Sequence, residues 1–282
     1  METVMPTIAA RPAKRSRLFL PREHGATAML LTPIFCAAIL ARIWRWSELA
    51  VLTASFAAIA AKDPAVLLVR QRFVWKQRSP EAAAATRWLA FWSLLLLASV
   101  AVLLATWPAE AFWAIGAGVA GFACLAILVN LKNRQRSTLF QIASAAALTS
   151  TSVATCIAAT GGVARWCWWL WGLIALQASA GILVVHARLD ARIALRKAAT
   201  ASRQFRHAAQ GALVVLIGAA ITAIIAKHPL VGAAPALASL GYGYDLIRQK
   251  NSAALQMPLT RVGQQALLLS TLYSVLLIAG LW

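Results

Sequence analysis

HARLDARIALRKAATASRQFR, residues 186–206, links an apolar run that ends at Val185 to another that begins near Ala208. A helix needs roughly twenty apolar residues to cross a bilayer. A cation-rich link between two such runs reads as a connection on the cytoplasmic face. On a helix of about 100° per residue, Arg188, Arg192, Arg196, Arg203 and Arg206 fall within about 80° of one another. His186, Asp190 and Lys197 fall on roughly the opposite face. Both groupings assume one unbroken helix. Two readings fit. The arginines anchor a cytoplasmic connection, or they line a pocket for an anionic head group or phosphate. The first is the simpler, because any such connection carries excess Lys and Arg.

Composition points the same way. Of 282 residues 61% are hydrophobic and 12% charged, against about 25% charged in a soluble domain. The expected fold class is all-α, a polytopic transmembrane helix bundle. The formal net charge of +19 does not imply a nucleic-acid partner, because the basic residues sit between apolar runs. The lipid bilayer and its anionic head groups are the expected partners. Residues 1–20 are polar and basic, with no apolar core of a cleavable signal peptide. They read as a disordered cytoplasmic tail, and residues 21–282 as a single transmembrane domain. Cys36, Cys124, Cys156 and Cys167 lie in or beside apolar runs without a C-x-x-C pair. They read as packing residues, neither metal ligands nor a disulfide framework.

About nine spans are expected, over residues 26–41, 48–69, 88–107, 111–131, 138–159, 166–185, 209–226, 230–247 and 264–282. The eighth holds Pro235 and Gly241-Tyr242-Gly243 and is expected to kink or break. Of the 27 Lys and Arg, 22 fall on alternate connections, 4 on the others, and Lys62 inside a span. That asymmetry places the N-terminus in the cytoplasm and the C-terminus outside. Tryptophans near the span ends, Trp44, Trp46, Trp107, Trp113, Trp166, Trp168, Trp169 and Trp282 among them, read as an interfacial belt. Gly116, Gly118 and Gly121, and the alanines from Ala143 to Ala147, suit close helix contact.

Ionisable groups at membrane depth need a partner or a wet cavity. Lys62-Asp63-Pro64 interrupts the second span, as an ion pair at a kink or as the wall of a cytoplasmic cavity. Glu23 and His24 stand where the tail enters the first span. Tyr242 and Asp245 close the eighth. The hydroxyl run Thr149 to Thr155 either lines a polar path or bonds back to helix carbonyls. Gln141, Gln177 and Ser179 suit interhelical hydrogen bonds. No metal-ligand spacing, phosphate loop or nucleophile motif is present, so no metal and no cofactor are expected, and the balance leans against an enzyme.

The opening Pro21-Arg22-Glu23-His24-Gly25-Ala26-x-Ala28-Met29-Leu30-Leu31-x-Pro33 resembles the start of the YwiC-like family of bacterial integral membrane proteins. The basic connection after the sixth span and Pro258-Leu259-x-Arg261-Val262-Gly263 are similar too. The resemblance implies an inner-membrane protein and brings no reaction with it. A remoter, architectural likeness is to the UbiA-type intramembrane prenyltransferases, whose two Asp-rich motifs hold Mg²⁺ and a prenyl diphosphate. The first of those motifs reads N-D-x-x-D-x-x-x-D. Here the stretch is Lys62-Asp63-x-x-Val66-x-x-x-Arg70, and only Asp63 matches. The D-x-x-x-D of the second becomes Asp190-x-x-x-Ala194. With its carboxylate partners gone and Arg70 added, such a cavity would hold an anion without metal.

These observations define the expected site as Glu23, His24, Lys62, Asp63, Arg70, His186, Arg188, Asp190, Arg192, Arg196, Tyr242 and Asp245, around a cavity on the cytoplasmic side. The expected role is binding or handling an anionic or amphipathic small molecule there, such as a phosphorylated or isoprenoid ligand. Three alternatives stand beside it: a UbiA-type prenyltransferase with degenerate motifs, which alone would call for Mg²⁺; a small-molecule transporter; and a scaffold without a ligand.

Overall fold

The computed structural model describes residues 24–76, 81–131, 137–197 and 203–282. Its elements are helices: α1 His24–Ala41, α2 Trp46–Arg70, α3 Ala82–Thr106, α4 Ala109–Leu131, α5 Thr138–Thr149, α6 Thr151–Thr160, α7 Arg165–Arg196, α8 Arg203–Ile225, α9 Pro229–Arg248, α10 Ser252–Leu255 and α11 Leu259–Leu281. A π-helical turn, Gln71–Trp75, prolongs α2. Among the described residues, seven stretches are long and apolar enough to cross a membrane. They are Trp46–Val74, Ala82–Thr106, Ala109–Ala126, Thr138–Thr160, Arg165–Arg196, Arg203–Ile225 and Thr260–Leu281. Against the nine expected, α1 is a shorter apolar helix and α9 is not among the seven. The composition of α9 explains its weaker hydropathy. Gly232, Ala234, Pro235, Ala238 and Ser239 are buried against protein, so these positions need small side chains rather than lipid-facing ones.

The main core joins α1, α7, α8, α9 and α11 around Ala37, Leu170, Leu216, Ala234, Tyr273 and Leu277. A second cluster joins α2, α3 and α6 through Val51, Leu103, Trp107 and Ile157. A third packs Ala57 and Ala60 of α2 on Trp92 of α3. Three glycines set the closest approaches. A Cβ on Gly232 would lie 2.7 Å from the Ala220 carbonyl oxygen, one on Gly280 2.5 Å from the Val231 amide nitrogen, and one on Gly181 2.8 Å from the Tyr242 hydroxyl. Gly116, Gly118 and Gly121, expected to mediate close contact, have nothing within 4 Å of that position. They sit on α4, whose span buries none of its residues within the protein. Glycine permits an approach but does not supply the neighbour.

Other expectations are corrected by local geometry. The helix assumed over residues 186–206 ends at Arg196, where the Lys197 amide donates to the Ile193 carbonyl. Arg203 and Arg206 therefore belong to α8, and the five-arginine stripe is divided between two helices. The eighth span does not break. α9 runs through Pro235 and both glycines, and Gly241 lies under the Leu269 side chain of α11. The break falls at Ser150 instead, between α5 and α6. The hydroxyls there turn onto the chain: Thr149 donates to Ala145, Ser150 to Ala147, Ser152 to Thr149 and Thr155 to Thr151. Thr151 also reaches the Leu30 carbonyl of α1. Back-bonding of this kind bends helices, and it leaves these groups lining no polar path.

The cysteines are not all packing residues. Cys156 and Cys167 form a disulfide, while Cys36 and Cys124 are free. Gly161, in the left-handed conformation at φ 77°, ends α6 and turns the chain into α7. That turn lays the two cysteines side by side with their Cα atoms 6.5 Å apart, within the range for a bridge.

Candidate functional site

The buried polar centre is Arg188. Near the end of α7 its guanidinium is nearly inaccessible, with 3% of the side chain exposed, and its Nη1 donates to Asp245 Oδ1 at 2.7 Å. Nη2 donates to the Ala254 carbonyl of α10. Asp245 Oδ2 accepts from Gln249 Nε2 at 2.9 Å, and that amide also reaches the Val184 carbonyl. The Nε of Arg188 has no hydrogen-bond partner. Charge, shape and geometry make this a clamp. One buried cation, neutralised by one acid, ties α7 to α9 and to the short helix that follows. α10 is placed for this by Asn251, whose side-chain oxygen caps it by accepting from the Ala253 amide.

Successive arginines of α7 emerge from the bundle. Arg192 is half-buried and Arg196 exposed, while Arg203 and Arg206 are exposed at the start of α8. On the other side of α7, His186 is half-buried. Its Nε2 lies 2.8 Å from Gln141 Oε1 of α5, and its ring stacks on Phe205 of α8 with centroids 5.4 Å apart. Tyr242 stands deeper. Gln177 Nε2 donates to its hydroxyl at 2.8 Å. Gln141 and Gln177 thus make the interhelical bonds expected of them, whereas Ser179 bonds back to Ala175.

The expected site residues are therefore only partly gathered. Arg188 and Asp245 meet directly, and His186 and Tyr242 lie on the same two helices with other partners. Lys62 and Arg70 are half-buried on α2, and Asp63 is exposed there. Lys62, Arg70 and Asp190 each interact with a neighbouring group. Glu23 and the side chain of His24 lie outside the described residues, as does the tail over residues 1–20. Among the described residues no three of His, Cys, Asp or Glu come together. Asp245 of α9 is engaged by Arg188.

A cavity lies at the opposite end, in the α1–α2 hairpin. It measures about 490 Å³ and is lined by Phe35, Trp44, Arg45, Trp46, Glu48 and Leu49 among others. Glu48 was read from sequence only as the start of a span. Its Oε1 accepts from the Arg45 amide at 3.1 Å, which caps the helix start. Its Oε2 is buried without a partner. The signal in the sequence was an acid three residues after Arg45, at the head of an apolar run.

Residues 20–156 match the model of the YwiC-like protein family. Over those residues the chain is similar to the YwiC-like family. The match takes in α1 to α5 and most of α6, and with them the hairpin cavity and the α2 cations. The clamp on α7 and α9 lies beyond it. No curated protein and no solved structure is detectably similar to the chain. The family match and the apolar helices together make this a multi-pass membrane protein. The likeness to UbiA-type enzymes has no support from these comparisons.

Proposed function

We propose that this YwiC-like protein binds an anionic amphiphile, a phosphorylated lipid, at the cation-rich end of its bundle. The observation that carries the reading is the graded emergence of the α7 arginines. Arg188 is fixed by Asp245 and Ala254, so it holds the helix end in place. Arg192 and Arg196, one and two turns further on, rise from half-buried to exposed. A guanidinium held on a rigid helix end matches the planar fork geometry of phosphate oxygens. The site is thus a phosphate-binding edge on the side where the sequence led us to expect a cavity.

In this reading the chain crosses a bacterial plasma membrane nine times, α1 and α9 included, with the arginine edge in the cytoplasm and the C-terminus outside. Two observations support that orientation. Along the sequence, 22 of the 27 cations fall on the alternate connections that include residues 186–206, as on cytoplasmic connections. The Cys156–Cys167 bridge sits at the other end, beside the turn at Gly161, and bridges persist in oxidising compartments.

The experiment is lipid retention by native mass spectrometry in detergent, with short-chain phosphatidic acid against phosphatidylcholine. Wild-type protein should retain the anionic lipid, and the double substitution R192A/R196A should lower that retention about tenfold, the value of one charge-assisted contact. Equal retention by the variant would refute the reading.

A further inference from the structure

The α1–α2 cavity sits at the far end from the arginine edge and owes nothing to it. Its size, about 490 Å³, lies within the range of small-molecule sites. Its walls are mostly apolar, with two charged residues, Arg45 and Glu48. Glu48 is 4% exposed and is one of the residues around the cavity, and the buried Oε2 of its carboxylate has no hydrogen-bond partner. An ionised carboxylate only accepts hydrogen bonds, and burying one of its oxygens without a donor is costly, a cost the neighbouring Arg45 charge offsets in part. The helix cap uses one oxygen and leaves the other for a donor from outside the chain.

The surroundings narrow the donor. Trp44 and Trp46 line it and are 71% and 82% exposed, and indole faces favour a cation and the bilayer interface. Arg45 belongs to the same lining and is exposed, so a second, negative group is attracted a few ångströms from the acid. Phe35 and Leu49 belong to the apolar wall and are each 48% exposed. A cationic N–H donor, an adjoining phosphate and an apolar tail in that order describe one chemistry.

We infer that this cavity is a binding site for the head group of an ethanolamine phospholipid. The ammonium donates to Glu48 Oε2, the phosphate meets Arg45, and the acyl chains run along Phe35 and Leu49. Glu48 discriminates between head groups because a trimethylated ammonium has no N–H to give. Arg45 and the apolar wall serve either lipid equally.

The test uses the full-length protein in detergent, with a chain-matched series of phosphatidylethanolamine, its mono- and dimethyl derivatives, and phosphatidylcholine, followed by native mass spectrometry. Wild-type protein should prefer the ethanolamine lipid over the choline lipid about tenfold, the value of one charge-assisted hydrogen bond. Glu48→Gln keeps an oxygen to accept from the Arg45 amide, so the helix start survives, and it should abolish the preference. Leu52→Trp, which fills the cavity from a position in its lining, should reduce retention of every lipid in the series. Equal binding of the two lipids by wild-type protein would overturn the inference, as would an unchanged preference in Glu48→Gln. Displacement of the lipid by soluble phosphoethanolamine would overturn its assignment to a membrane lipid. None of these outcomes touches Arg192 or Arg196, so the arginine-edge reading stands or falls separately.

Discussion

Replacing Asp245 by Ala removes the countercharge of a guanidinium that has 3% of its side chain exposed. Breaking a buried ion pair from one side costs about 3–5 kcal/mol, because the remaining charge is left uncompensated. Two features reduce that figure here. Asp245 is itself 25% exposed, so water already screens the pair. Arg188 also keeps the Ala254 carbonyl. We therefore expect a loss of about 2–3 kcal/mol for D245A and about 1–2 kcal/mol for D245N, whose amide oxygen still accepts. The double substitution R188M/D245L removes both charges and keeps the volume. It should recover most of the loss, because a buried pair is close to neutral against an apolar replacement. The assay is reversible unfolding in mixed detergent micelles followed by tryptophan fluorescence, arranged as a double-mutant cycle. A D245A protein within about 0.5 kcal/mol of wild type, the ordinary range for surface changes, would refute the clamp. A double variant no more stable than D245A would do the same.

Other outcomes follow from the packing. Denatured without reductant, the protein should alkylate at Cys36 and Cys124 only, and a maleimide mass shift counting four thiols would dispose of the Cys156–Cys167 bridge. Cys156→Ser with Cys167→Ser should lower stability by up to about 3 kcal/mol on loop-closure grounds, readable on the same unfolding curve. Gly280→Ala places a methyl 2.5 Å from the backbone of Val231 and should cost about 1–3 kcal/mol. Gly118→Ala, with open space around it, should be neutral or slightly stabilising, and the reverse ranking in thermal melts would contradict the helix approaches described. A cysteine at Lys227, in a background without Cys36 and Cys124, should react in intact cells with a reagent that cannot cross the bilayer. A cysteine at Arg196 should not, and the opposite pattern would invert the proposed orientation.

Most of the helix order was legible because an apolar run long enough to span is an unambiguous signal. The charge asymmetry is a property of the sequence alone. What the sequence did not yield were pairings between distant positions. Arg188 finds Asp245 across 57 residues, and an arginine bound to an acid looks, in one dimension, like an arginine awaiting a ligand. The stripe assumed an uninterrupted helix and failed where α7 ends, since no proline or glycine marks the stop between Arg196 and Arg203. The glycines misled for a related reason. Gly116, Gly118 and Gly121 and Gly232 and Gly280 are alike in composition, and only the neighbours distinguish them. Cys156 and Cys167 escaped a search for C-x-x-C because their 11-residue separation spans a helix end, a turn and a helix start. Glu48 was hidden by its success as a cap, which accounts for one of its oxygens and draws attention from the other.

The bridge between α6 and α7 has a mechanical consequence. A single proteolytic nick within residues 161–164 would leave everything before it and everything after it on one covalent body, joined through sulfur. Resistance to fragmentation would then vanish in one step when a thiol is added, and a ladder of nicked but unseparated chains should mark material that had never been reduced.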